Sequence, residues 1–410
     1  MSEITETAYK TGFDMIYLAA CALQNAAPAD EVMEAMDFDR VYRLAKSQTM
    51  EAVTFYGLEL WPKSKTAVVP ELWAKWKNAR EKAIRKNLLF DIEREKLFSF
   101  FEEAGIWYMP LKGAIMKELY PQPGMRQMAD NDILFDEAYR DEVYEYMTGQ
   151  GYGAKYYASD PEEDLLRKAM YSIHDIYFKE PIYNFEMHVA LFGRNVNPKW
   201  RVYYKNVKER LQKDGEKDYG YHFREEDFYV YLIAHGYKHF SGGGHGIRNL
   251  MDVYVYLDKE KVLDREYVDK ELRELELFEH AQITNSLARR LFETDIGKLR
   301  EGISGLSEKE QELLEICLSS GTYGTHKQWL RNELKKRNGK DNITFKDRIK
   351  YLFRRLIPEE EILLIRYPKL ARKKYLQPLC VLIRMGEGVL CEPKRLWKEL
   401  ICLLKVKKNV

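Results

Sequence analysis

The stretch Arg126-Gln127-Met128-Ala129-Asp130-Asn131-Asp132-Ile133-Leu134-Phe135 sets two carboxylates, two residues apart, at the mouth of a short apolar run. Side chains on a strand alternate between its faces. A strand over Asn131–Phe135 therefore projects Asp130 and Asp132 to the same side, close enough for both to hold one hard cation. Upstream, residues 106–111 read as a second strand that ends at Leu111-Lys112-Gly113, and residues 114–120 read as a helix. Pro121-Gln122-Pro123-Gly124 then forces the loop that delivers the chain to Arg126.

Downstream, Asp136 is placed to cap a helix through residue 147, and Gly149, Gly151 and Gly153 break it before an expected strand at 155–158. Residues 174–179 and 183–191 read as a hairpin about Glu180-Pro181. In its second arm Tyr183, Phe185, Met187 and Val189 are apolar, whereas Asn184, Glu186 and His188 take the alternate face. A polar stripe on one face of a core strand marks a candidate site.

Paired carboxylates of this kind suit phosphoryl chemistry, in which two metal ions about 3.5–4 Å apart neutralise developing charge. Three carboxylates commonly hold such a pair. Glu186 is the expected third, because it lies on the polar stripe, whereas Asp175 and Glu180 stand near the ends of the preceding arm.

Around this α/β portion the pattern is helical. Residues 8–105 contain few glycines and a long charged segment from Pro70, a favourable first helical residue. After residue 197 helices are expected through 227–240, 247–257 and on to about residue 320, with Gly242-Gly243-Gly244 as a flexible connection. His235 and His239 are four apart on one helix face, a zinc-chelating spacing, but Gly236 stands where a zinc peptidase carries glutamate.

The 410 residues are 45% hydrophobic and 13% aromatic, enough to fill real cores and to exclude a disordered chain. The net charge of +1 conceals an asymmetry. Residues 326–410 hold 23 Lys+Arg and 9 Asp+Glu, a net +14 that leaves −13 for the rest. Such a basic tail, punctuated by Pro358, Pro368, Pro378 and Pro393, suits nucleic acid, a membrane surface or the acidic body itself. Its apolar residues, among them Leu352, Phe353, Ile362, Ile365, Leu379 and Leu382, predict helices packed against that body rather than a free extension. Five scattered cysteines without C-x-x-C spacing suggest neither a disulfide framework nor a zinc ribbon. The apolar run 15–23 is too short for a membrane span, so a soluble, cytoplasmic protein is expected.

The order of these pieces carries a resemblance. A strand, Lys-Gly, a helix, an Arg-x-x-x-Asp-x-Asp strand and then Phe-Glu-Met-His is similar to the uncharacterised nucleotidyltransferase family of the DNA polymerase β-like superfamily. The likeness extends through His235, His239, Arg248, Asn249 and Asp252. It implies an α+β fold: a small mixed-sheet, polymerase β-like core at 106–192, helical regions at 1–105 and 193–325, the latter forming the other cleft wall, and a basic helical tail at 326–410. The implied reaction is Mg2+- or Mn2+-dependent transfer of a nucleoside monophosphate from a nucleoside triphosphate to an acceptor hydroxyl on a small molecule, peptide or protein, with release of pyrophosphate.

On this resemblance Asp130, Asp132 and Glu186 are the catalytic metal ligands, and Lys112, Gly113 and Arg126 position the triphosphate. His188, His235, His239 and Asp252 are candidate acceptor or base contacts, and no obligate protein partner is implied. Most members of the superfamily carry Gly-Ser where this chain has Lys112-Gly113. Gly113 still lets backbone N–H groups approach a phosphate, and Lys112 adds a positive charge that serine lacks. Two alternatives come from other classes: a non-catalytic nucleotide-binding regulatory protein, and a nucleic-acid-modifying nucleotidyltransferase gripping its substrate through the tail.

Overall fold

Five short strands carry the alternation read from the sequence: β1 (Tyr108–Pro110), β2 (Asn131–Phe135), β3 (Gly153–Ala154), β4 (His174–Lys179) and β5 (Tyr183–His188). The structure, a computed structural model, describes residues 3–154, 173–194, 196–258, 262–321, 324–338, 344–357 and 367–390, with single positions between 360 and 403. The expected strand at 155–158 lies outside the described residues.

The strands form one mixed sheet in the order β1-β2-β5-β4-β3. β2 pairs antiparallel with β1 and parallel with β5, and β5 pairs antiparallel with β4. One sheet face is closed by apolar side chains, with Ile133, Phe135, Tyr177, Phe185 and Met187 packed on Leu97, Phe98 and Phe101 of the long helix Pro70–Ala104 and on Val143 and Met147 of the helix Arg140–Gly149. Pro70 stands at the long helix's first turn, and Gly105 ends it in the left-handed conformation with φ 71°. Apolar burial on this face leaves the alternate residues of β5, Asn184, Glu186 and His188, to the other.

Local departures from expectation have local causes. Asp136 caps a 3-10 turn, Glu137–Tyr139, by accepting from the Ala138 N–H, and the α-helix begins only at Arg140. The second hairpin arm ends at His188 rather than 191, although the Val189 N–H still donates to the Ile173 carbonyl at 2.8 Å. After residue 197 the chain is not purely helical, because β6 (Leu211–Lys213) and β7 (Tyr221–Phe223) form a separate two-stranded sheet. Three-residue strands are too short to display a period of two.

The segments expected at 1–105, 106–192 and 193–325 contribute to one compact unit, made of residues 1–155, 173–238 and 245–322. The helices Glu225–Ser241 and Ile247–Asp258 follow the sheet in the chain and are apolar at most positions. A second unit comprises 156–172, 239–244 and 323–410. Its helices include His326–Asn338, Phe345–Leu356 and Gln377–Leu390. Leu330, Leu334, Tyr351 and Leu403 form one small core there, and Leu363, Ala371 and Cys380 form another. Phe353, Leu379 and Leu382 remain exposed, and Ile362 and Ile365 lie outside the described residues. Gly244, with φ 89°, serves the expected connecting role of the glycine cluster, whose Gly243 carbonyl accepts from the Thr325 N–H. Among the described residues no helix is long and apolar enough to cross a membrane.

Candidate active site

Strand register brings the expected carboxylates together. Asp132 lies directly beside Glu186 in the parallel β2–β5 pair, so both side chains leave the same face at the centre of the sheet. Asp130 precedes β2 by one residue. Burial, together with the neighbouring Asp132 and Glu186 carboxylates, pushes Asp130 up to about 7. Asp132 is held below the usual carboxylate range: burial opposes its charge, but His188, whose Nε2 faces its Oδ1 at 3.1 Å, together with His174 and Lys238 outweighs that penalty. Within this crowded group Asp130 therefore takes up a proton before Asp132 does. Asp175, the rejected third carboxylate, is engaged by Arg140 through contacts of 2.6 and 3.0 Å.

The cationic side is built around Asp252, a buried residue of the helix Ile247–Asp258. Arg126 grips it with two bonds, Nε to Oδ1 at 2.8 Å and Nη2 to Oδ2 at 3.0 Å. Tyr120 donates to Oδ1 at 2.9 Å, and Lys112 Nζ stands 3.5 Å from Oδ2. Two cations thus share one carboxylate, leaving a net positive locus at the start of the helix Lys112–Leu119. Burial lowers Lys112 to about 8 against the pull of Asp252, while burial of Asp252 is overcome by Arg126 and Lys112, which hold its carboxyl well below the usual range.

Gly113 packs closely beside this arrangement. A Cβ at that position would come within 2.9 Å of Met128 Cε, and Arg126 Nη1 reaches the Gly113 carbonyl at 3.3 Å. The Leu111 N–H donates to the Asp132 carbonyl at 2.9 Å, so the end of β1 and the carboxylate strand are tied together. Lys-Gly and Asp-x-Asp are thereby brought to the same end of the β1–β2 pair.

Several neighbours had no sequence reading as site residues. Lys86 of the long helix donates to the Ala129 carbonyl at 3.0 Å, and its charge acts on Asp130. Arg248 donates to the Gln127 carbonyl at 3.0 Å, and Lys238 lies where its charge acts on Asp132 and Glu186. His174 stands opposite His188 in the β4–β5 register. That pairing was implicit in the hairpin centred on Glu180-Pro181, whereas Lys86 and Lys238 lie on helices whose charge patterns do not single them out.

The other expected histidines are placed differently. His188 stands with the carboxylates. His235 packs its ring against Tyr231 at 5.8 Å between centroids, and the His239 carbonyl accepts from the Gly242 and Gly244 N–H groups at the helix end. Among the described residues, the groups whose ligand atoms converge closely enough to hold a metal ion are His174, Glu186 and His188.

Residues 34–293, more than half of the chain, match the family described as uncharacterised nucleotidyltransferase. The chain belongs to the uncharacterised nucleotidyltransferase family. No curated protein and no solved structure matches it. The matched region takes in the whole five-stranded sheet, the long helix and Asp252, and it ends before the basic tail. Membership supports nucleotidyl transfer as the general activity and a nucleoside triphosphate as the substrate.

Proposed function

We propose that the protein transfers a nucleoside monophosphate from a nucleoside triphosphate to an acceptor hydroxyl and releases pyrophosphate. The observation that carries this reading is the pairing of Asp132 with Glu186 across β2 and β5, with Asp130 near enough to feel both charges, beside a net positive locus at a helix start. The antiparallel β1–β2 pair next to the parallel β2–β5 pair supports a polymerase β-like core at 106–192.

The donor set fits a hard divalent cation. Burial first, and then the charges of Asp132 and Glu186, push Asp130 up to about 7, and a bound cation would relieve the repulsion among the three carboxylates. Bound Mg2+ or Mn2+ supplies neutralisation of the charge that develops on the transferred phosphoryl group. Asp130, Asp132 and Glu186 hold the ion. Lys112 and the N–H groups at the start of its helix bind the triphosphate, where the helix dipole also favours an anion. Arg126 contributes the second positive charge, and Asp252 acts as a positioning residue that fixes Lys112 and Arg126 at the mouth of the turn. His188 orients Asp132 through its 3.1 Å contact.

The test is incubation of the full chain with each α-labelled triphosphate and, in parallel, each γ-labelled one, with Mg2+ and a cell extract. Expected is label in a discrete acceptor together with pyrophosphate release, both lost in Asp130→Asn. Transfer of a γ-label instead, or wild-type labelling by the variant, would refute the reading.

A further inference from the structure

We infer that His174, Glu186 and His188 form a site for one divalent transition-metal ion, different in donor chemistry from the three-carboxylate set and adjoining it. The hairpin builds the site. His174 and His188 are directly opposed across β4 and β5, and Glu186, two residues before His188, leaves the same face and lies diagonal to His174. His174 Nε2 stands 3.7 Å and His188 Nε2 3.8 Å from the same oxygen, Glu186 Oε2. The three ligand atoms all lie within 4.8 Å of one another.

Those distances are too long for hydrogen bonds between these atoms. They are close to what a shared ion requires, because metal–ligand bonds of about 2.0–2.1 Å in tetrahedral geometry set the donors about 3.3 Å apart. The two Glu186 distances close by about 0.5 Å, and the widest separation, up to 4.8 Å, by up to about 1.5 Å, through rotation of the two imidazole side chains. When an ion is bound, the 3.1 Å contact between His188 Nε2 and Asp132 Oδ1 gives way to ligation of the ion by both atoms, so Asp132 supplies a neighbouring fourth oxygen. His188 is nearly buried, while the His174 side chain is 30% exposed, which leaves an entry path on the β4 side.

Donor type decides the class of ion. Two imidazole nitrogens and a carboxylate suit Zn2+, Co2+, Fe2+ or Mn2+, whereas Mg2+ prefers an all-oxygen octahedron. Glu186 and Asp132 belong to both sets, so His174 and Asp130, each belonging to one, separate this inference from the proposed transfer reaction.

The experiment titrates the full chain with Co2+ in the absence of nucleotide. Expected is one equivalent bound with visible d–d bands, displaced by stoichiometric Zn2+ but not by a large excess of Mg2+. His174→Gln weakens Co2+ binding by about 100-fold, the upper end of what even outer-shell partners of a metal cost. Asp130→Asn leaves Co2+ binding intact while abolishing nucleotidyl transfer. In a second measurement needing no variant, Zn2+ shifts the imidazole 15N resonances of His174 and His188 in the wild-type chain. Unchanged Co2+ affinity in a folded His174→Gln variant, ready displacement by Mg2+, or unshifted imidazole resonances would each overturn the assignment.

Discussion

Replacing Asp252 by asparagine tests whether this residue anchors the cationic side of the site. The side chain is 1% exposed and accepts from Arg126 at 2.8 and 3.0 Å and from Tyr120 at 2.9 Å, with Lys112 at 3.5 Å. Asparagine keeps the shape but removes the charge, offers one acceptor oxygen for three donors, and turns an NH2 group toward a guanidinium. Breaking a buried pair from one side costs about 3–5 kcal/mol, because the remaining cations are left uncompensated. Arg126→Met in the same background removes one of them, so the double variant should recover about 1.5 kcal/mol or more relative to the sum of the singles. Urea unfolding of the four proteins, followed by circular dichroism, measures both quantities. An Asn variant within about 1 kcal/mol of wild type, or strict additivity in the cycle, would refute the anchoring role and return Asp252 to the acceptor contacts first expected of it.

Three further outcomes follow from the same geometry. Asp130→Asn and Asp132→Asn each remove a metal-neutralising charge without changing volume, so turnover should fall by about 10³-fold or more, equivalent to about 4 kcal/mol of transition-state stabilisation, with the unfolding curve retained; near-wild-type turnover in both would dismiss the metal-site assignment. Glu186→Gln should weaken Mg2+ binding measured calorimetrically with a non-hydrolysable triphosphate, whereas Glu180→Gln at the exposed turn should not, and equal losses would place Glu186 outside the ligand set. His245 is 3% exposed, and burial lowers it to about 4. The unfolded chain takes up this proton below about pH 6.5 while the native state refuses it, so the stabilisation is complete above pH 6.5 and falls by about 3 kcal/mol as pH drops to 4. Urea midpoints over that window should flatten in His245→Gln, and an identical slope in the variant would exclude His245 as the source.

The positions of the strands were legible because their signals are local. β2 occupies residues 131–135 as the apolar run indicated, and the hairpin arms fall where period-two alternation flanks Glu180-Pro181. The same alternation separated Phe185 and Met187, which are buried, from Glu186 on the polar face. The spacing of Asp130 and Asp132, which made them candidates, is likewise local.

Long-range pairing was decided only in three dimensions. That β2 runs parallel to β5 and sets Asp132 beside Glu186 depends on a crossover of about fifty residues, whose register no local pattern records. Arg126 read as a free phosphate-binding cation, but the fold presents it to a carboxylate 126 positions away, and Asp252 on an apolar helix carries no sign of that commitment. Lys86 and His174 likewise gain meaning from the elements packed beside them. Periodicity along the chain specifies which face of an element is buried. The tertiary structure specifies what that face meets, because contacts between residues far apart in sequence are set by the joint packing of many side chains.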